Sequence, residues 1–291
     1  MTATPQDDWS PADHPYAIAV SEAQWWLHMV ELSRLRIRRG EERWTQPFSS
    51  EQIDARVVIL ALRQLLAAEQ LEQLSLKALD IDPTVGHTLK AARDRFEDAL
   101  PGIKHMRDAL THFEDWSRGE GRGEPQRSRR GAGEELRDIA RTFSGFGYDS
   151  RAGTITLGPY KIGVETASRA AHMLCEAIYA AAREVDKKTA ADLRAKAVRI
   201  LIDAGVQHAM ADALLPLYYG FDLRLQLSTD IEALDGRAEL ARQVTTALAS
   251  ACIRLMSSSH PQAQDIAERL ARGESLYVRP SGPPTPHSHI S

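Results

Sequence analysis

Apolar side chains recur at steps of three and four residues through most of the first 116 positions of the chain. This spacing puts them on one face of an α-helix, so it predicts helices. The run at about 51–74 is the most regular and is expected in the core, with Ser50 as its N-cap. Residues 1–17, rich in Pro and Asp, are predicted to be a flexible leader. The four predicted helices, which pack most simply as an up-and-down bundle, cover about 22–39, 51–74, 84–99 and 103–116.

The helical pattern stops at residues 117–133, which are rich in glycine and arginine. A segment of this composition buries little apolar area, so it is either a solvated linker or a flexible arm that contacts phosphates. Residues 154–157 and 160–164 are flanked by turn residues and predict a β-hairpin or meander within about 142–164. A helix at about 165–185 completes a bundle domain of residues 18–186.

The remaining chain, residues 187–278, is predicted to be a helical C-terminal module. Residues 217–227 alternate apolar and polar side chains and form either one strand or an extended connector. The Pro-, Ser- and His-rich tail, residues 279–291, is predicted to be disordered. The fold class is therefore mainly α: an up-and-down helical bundle with a small inserted β-hairpin, followed by a helical module. The helices predicted for that module cover about 189–203, 207–215, 230–256 and 262–272.

The amino-acid composition excludes only a few kinds of function. The net charge of −4 at pH 7 is small, so any binding of nucleic acid has to come from a local patch. Cys175 and Cys252 lie in separate apolar helical runs and form no CxxC pair, which indicates core residues in a reducing compartment. The sequence has neither a signal peptide pattern nor an apolar run long enough to span a bilayer, so a soluble cytoplasmic protein is expected.

The predicted helix at 103–116 carries most of the candidate chemistry. One face is apolar, and polar side chains occupy the faces beside it. Arg107 and His112 are five positions apart, so in a continuous helix they point roughly 140° away from each other. One helix therefore does not aim both side chains at a single atom, whereas two copies related by a twofold axis could. The apolar stripe is Ile103, Met106, Leu110 and Phe113, and the polar candidates are His105, Arg107, Asp108, Thr111 and His112.

Arg107, four intervening residues and His112 resemble the Arg-x4-His motif of the HEPN superfamily, and the polar Asp108 after the arginine also suits that motif. The resemblance covers roughly residues 18–185. It implies a metal-independent endoribonuclease that forms its site across a homodimer, needs no cofactor and leaves 2′,3′-cyclic phosphate ends. Such a protein acts on RNA as a toxin or defence effector, and a neutralising or regulatory protein partner is possible.

The resemblance implies a role for each candidate residue. His112 exchanges a proton with the substrate, Arg107 stabilises the charge on the phosphate, and Asp108 orients the imidazole of His112. Thr111 is expected to hydrogen-bond a phosphate. Arg118 and Arg122, in the glycine-rich segment, are expected to contact RNA as well.

Three other interpretations are open. The first is a noncatalytic helical module that binds a protein partner. The second is a metal site at His105, Asp108 and His112, but the two histidines lie about 10 Å apart along a helix, too far to share one ion. The third is a DNA-binding regulator, which the absence of a basic recognition helix after Thr189 disfavours. We therefore expect no metal site.

Overall fold

The computed structural model describes residues 11–40, 49–203, 209–214, 222–227, 234–250, 253–256, 266–273 and 276–280. The chain divides into two compact units. One contains His14–Ala182, and the other contains Met1–Asp13 together with Arg183–Ser291. The mainly α fold with a small antiparallel sheet is confirmed. In the described part of the chain, no helix combines the length and the apolar character needed to cross a membrane.

The first unit is built on two long helices, α1 (Pro15–Arg39) and α2 (Ser50–Ala78). Proline at the first position of α1 suits a helix start because its missing N–H would have no helical partner there. The predicted leader, residues 1–17, is therefore too long: a 3₁₀ turn occupies Pro11–Asp13, and residues 1–10 lie outside the described part. The N-cap of α2 is Ser49 and not Ser50, because the Ser49 hydroxyl accepts a hydrogen bond from Gln52 N.

Shorter helices follow along the chain. The side chain of Asp82 caps the first of them by accepting a hydrogen bond from Thr84 N. Phe96, Met106 and Ile139 from this region are almost completely buried, as are Leu62, Leu65 and Leu66 of α2, so these helices contribute to the apolar core. The elements are α3 (Pro83–Ala99), α4 (Ile103–Thr111), α5 (Phe113–Trp116), α6 (Glu124–Gly131) and α7 (Leu136–Phe143).

A three-stranded antiparallel meander, and not a two-stranded hairpin alone, lies within the predicted range 142–164. Its strands are β1 (Phe146–Asp149), β2 (Thr154–Leu157) and β3 (Tyr160–Gly163), in the order β1-β2-β3. Ile155 and Ile162 face each other in the register and are both buried, so this face packs on the core.

One uninterrupted helix, α8 (Val164–Asp203), follows the meander. The two helices predicted at about 165–185 and 189–203 are therefore one. Its first part packs on α1: the Ser168 hydroxyl donates to Glu31 Oε1, and the Cys175 thiol contacts the carbonyl oxygen of Ala23 at 3.4 Å. Within the first unit, α1 thus contacts both α2 and α8.

The C-terminal part contains a sheet that the helical prediction did not include. Its four antiparallel strands have the order β4-β5-β7-β6, and the helix predicted at about 207–215 is wrong because β4 occupies most of that range. Strand β5 occupies part of the segment 217–227, for which a strand was one alternative. The predicted tail beyond Pro280 lies outside the described residues. The elements are β4 (Ala209–Leu214), β5 (Asp222–Leu227), α9 (Leu234–Ser250), β6 (Ile253–Met256), α10 (Ile266–Ala271) and β7 (Leu276–Pro280).

Candidate functional site

The helix predicted at 103–116 is broken at His112. This residue has φ −122° and ψ 42°, so α4 ends at Thr111 and α5 begins at Phe113. His112 N still donates to Asp108 O, while His112 O accepts from Trp116 N, so the residue belongs to the end of one helix and the start of the next. The 140° separation expected for a continuous helix therefore does not describe this segment.

The break also decides which aromatic side chain is buried. Trp116 is buried and packs edge-on against Phe143, with ring centroids 5.7 Å apart. Phe113, which was predicted to lie on the buried apolar stripe, is 68% exposed. The expectation for Phe113 is wrong because the chain changes direction at the residue before it.

Arg107 and Asp108 form an ion pair on the surface of α4. The distance from Arg107 Nη1 to Asp108 Oδ1 is 2.9 Å, and about a third of each side chain is exposed. The hydroxyl of Thr111 donates to Arg107 O at 3.0 Å, so its hydrogen is engaged by the helix backbone while its oxygen lone pairs can still accept. The structure thus places these three candidates on one partly exposed surface.

His112 is exposed at the end of that surface. Among the described residues, its imidazole makes no hydrogen bond or ion pair. The carboxylate of Asp108 pairs with Arg107 and not with His112, so the orienting role of Asp108 stays a prediction. An exposed imidazole is accessible to a ligand from solution.

His105 has a different environment from His112. Its ring stacks on that of Tyr160 in β3, with centroids 5.4 Å apart, and burial lowers the pKa of His105 although the charge of Asp108 acts in the opposite direction. The three residues considered for a metal are therefore not on one open face. Within the described ranges, no group of three or more His, Cys, Asp or Glu side chains could hold a metal ion.

The glycine-rich segment 117–133 is ordered, so the expectation of a flexible arm or linker is wrong. Gly121 N donates to the buried Gln126 side chain at 2.6 Å, and Gln126 Nε2 donates to Trp116 O. Arg130 Nη1 donates to Gly119 O and Gly121 O at 2.8 and 3.0 Å. The side chains of Gln126 and Arg130 thus provide hydrogen-bond partners for backbone groups of this segment. The amino-acid composition does not reveal this arrangement.

Acidic neighbours neutralise much of the positive charge in this segment. Arg118 pairs with Asp115 and Glu120 at 2.9 and 2.7 Å. Arg122 is exposed and has no ion pair within the residues that the structure describes. Of the two arginines predicted to contact RNA, only Arg122 is therefore available without displacing a carboxylate.

A groove with a volume of about 330 Å³ adjoins the Arg107–His112 surface, and the sequence did not indicate it. It lies between the end of α4, α5 and the junction of α7 with β1. Arg56 from α2 is at its edge, with the guanidinium carbon 4.9 Å from the centre of the Phe146 ring. None of the described residues that line the groove is acidic. Its walls include Arg56, Leu110, Phe113, Phe143, Phe146 and Leu157.

The fold and the surface together define a mainly helical protein in which a partly exposed Arg107 and an exposed His112 lie on the segment that borders an aromatic groove. Comparison with protein family models, with curated proteins and with solved structures finds no match to this chain.

Proposed function

We propose that the protein is a metal-independent endoribonuclease of the HEPN type. The observation that carries this proposal is the position of His112, exposed at a helix break five residues after the partly exposed Arg107. A buried imidazole would be out of reach of a substrate that arrives from solution. The exposed one is available for proton exchange with a ribose hydroxyl.

The reaction is an in-line attack of a ribose 2′-hydroxyl on the adjacent phosphate. His112 takes the hydroxyl proton, and the guanidinium of Arg107 stabilises the negative charge of the crowded phosphorane. The phosphorus–5′-oxygen bond breaks, the 5′-oxygen takes up a proton from solvent water, and the products are a 2′,3′-cyclic phosphate and a 5′-hydroxyl. Asp108, already paired with Arg107, holds the guanidinium in place until the phosphate arrives.

The active form is a homodimer in which Arg107 of one chain acts with His112 of the other. Arg122 contacts the RNA phosphates directly, and Thr111 joins it when its hydroxyl hydrogen turns from Arg107 O to a phosphate oxygen. Arg118 joins them when its bonds to Asp115 and Glu120 are exchanged for a phosphate. The biological setting is a cytoplasmic toxin or defence effector, for which a neutralising or regulatory protein partner is expected.

A cleavage assay on RNA in the presence of EDTA tests the activity. The wild-type chain is expected to cleave, while Arg107→Ala and His112→Ala each lower the rate at least about 100-fold, as expected for loss of general acid–base or electrostatic catalysis. Arg95→Ala and His87→Ala are matched controls, because both residues are exposed on another helix, α3, and should keep the wild-type rate. Intact RNA, or cleavage that all four variants perform equally, contradicts the proposal.

The second candidate is a noncatalytic interaction module, and one feature of α1 favours it. Trp25, Met29, Leu32 and Leu35 form an apolar row, with 39–69% of each residue exposed. Rows of exposed large apolar side chains often mark protein–protein contacts. Sedimentation of the wild-type chain and of Leu32→Glu tests this candidate. A chain that cleaves no RNA but associates, and that Leu32→Glu converts to monomers, would support it.

A further inference from the structure

The groove has the size of a site for one small group. Its volume of about 330 Å³ is at the lower end of the range for ligand sites in proteins. Phe113 is an exposed wall, while Phe143, buried among neighbouring aromatic rings, is part of the floor. An exposed aromatic ring beside a narrow apolar floor is the kind of surface on which an unpaired base stacks.

The polar groups of the groove also suit a nucleotide. Arg56 is exposed, lies against the Phe146 ring and has no acidic partner in the described part of the chain, so its N–H groups are available to a phosphate. The hydroxyls of Ser117 and Ser144, which also line the groove, donate to the backbone oxygens of Glu114 and Arg141. Their oxygens are therefore left as acceptors, which suits the exocyclic amine of adenine or cytosine better than a carbonyl of uracil.

The groove is connected to the proposed catalytic residues through the backbone. Phe113 directly follows His112, so their Cα atoms are about 3.8 Å apart. The residue that would stack on the base is therefore the sequence neighbour of the residue proposed to take the hydroxyl proton.

We propose that this groove binds one unpaired, amine-bearing base of a single-stranded RNA, with Phe113 stacking on the base and Arg56 contacting a phosphate. The inference rests on the proposed ribonuclease function and gives its substrate class: single-stranded RNA in which the bound base lies next to the bond that is cut. Base stacking fixes the position of the ribose, and the cation at the groove edge fixes the direction of the strand.

Binding can be measured separately from cleavage. A 2′-O-methyl oligoadenylate has no 2′-hydroxyl to attack the phosphate, so the full-length chain can be titrated with it without turnover. An abasic oligomer of the same length has the same phosphates but no bases. We expect Phe113→Ala to weaken oligoadenylate binding roughly tenfold, the size of one lost base–aromatic stack, and to leave abasic binding unchanged. Arg56→Gln is expected to weaken both probes.

The controls are variants of exposed side chains at other places. Leu74→Ala removes an apolar side chain of α2 that is 56% exposed, and Arg169→Gln removes an exposed cation of α8. Both are expected to bind like the wild type. Equal losses for the two probes in Phe113→Ala overturn base recognition. Failure of the folded wild type to bind oligoadenylate also overturns it and leaves an apolar peptide as the occupant.

The outcomes separate this inference from the proposed function. If Phe113-dependent binding is found but no RNA is cleaved, the base site stands and the ribonuclease activity is wrong. If cleavage depends on Arg107 and His112 while Phe113→Ala changes neither the affinity for oligoadenylate nor the KM, the activity stands and the base site is wrong.

Discussion

Gly102 and Gly133 have nearly the same backbone conformation in different surroundings. Their φ angles are +81° and +82°, in the left-handed region that side chains rarely adopt. A Cβ atom on Gly102 would lie 2.1 Å from Cδ1 of Tyr160, whereas a Cβ on Gly133 would meet nothing within 4 Å. The Tyr160 ring, which also stacks on His105, therefore requires glycine at the start of α4 for a second reason besides the angle.

This comparison predicts two different losses of stability. Gly133→Ala is expected to lower the free energy of unfolding by about 1 kcal/mol through the backbone angle alone. Gly102→Ala is expected to cost roughly 1–3 kcal/mol more, because the Tyr160 ring has to move. Urea unfolding of the two variants measures the difference. Equal losses of stability in the two variants would mean that the contact between position 102 and Tyr160 contributes nothing to the free energy of unfolding.

At the scale of the elements, one carboxylate joins α1 to α8. Glu31 accepts hydrogen bonds from Ser168 of α8 and from Arg34 of its own helix, and its Oε1 lies 3.3 Å from Nε2 of His172. Burial raises the pKa of Glu31, but the bonds from Ser168 and Arg34 and the charges of Arg34 and His172 outweigh it, so the pKa is lowered. The folded state therefore stabilises the ionised form of Glu31 more than the unfolded state does.

The lowered pKa of Glu31 determines how the stability of the fold changes with pH. A carboxyl with a lowered pKa stabilises the fold above its unfolded value, here 4.5, and the contribution is lost as the pH falls through the lowered folded value. Glu31→Gln is expected to lower the free energy of unfolding by about 1–2 kcal/mol at pH 7. The difference from the wild type should shrink as the pH falls below 4.5.

Glu165 supplies the matched control between the same two helices. It pairs with Arg34 and Arg38, but its side chain is 54% exposed. Glu165→Gln should therefore change the stability by less than about 0.5 kcal/mol. Chemical denaturation at several pH values compares the two variants. A loss in Glu31→Gln that is independent of pH would show that the charge of Glu31 is not the cause.

At the scale of the whole molecule, the proposed activity depends on two chains. If each site combines Arg107 of one chain with His112 of the other, a heterodimer of Arg107→Ala and His112→Ala chains contains one complete site and one empty site. Random mixing of the two inactive variants then restores about one quarter of the wild-type activity. Mixing after brief unfolding and refolding, followed by an RNA cleavage assay, measures the restoration.

The alternative arrangement gives a different result. If Arg107 and His112 act within one chain, no mixture of the two variants contains a complete site, and the mixed sample stays inactive. The double variant Arg107→Ala/His112→Ala mixed with His112→Ala is the control, because it provides no His112 in either chain. Activity in that control would show that the cleavage does not require His112.

The sequence by itself determined the long helices, because helical periodicity and capping residues are local signals. The spacing of apolar residues predicted α1, α2, α3 and, as two separate helices, α8, and the turn residues around 154–164 predicted the meander. Of the candidate surface, it indicated Arg107, Asp108 and His112 but not their environment.

Only the tertiary structure decided the break at His112, the order of the glycine-rich segment, the strand at 209–214 and the aromatic groove. Each of these features depends on a contact between residues that are separated along the sequence. Trp116 is buried against Phe143, Arg130 bonds the glycine carbonyls, β4 pairs with β5, and Arg56 meets Phe146. A local pattern holds no information on such pairs, because their free energy arises only when folding brings the distant residues into contact.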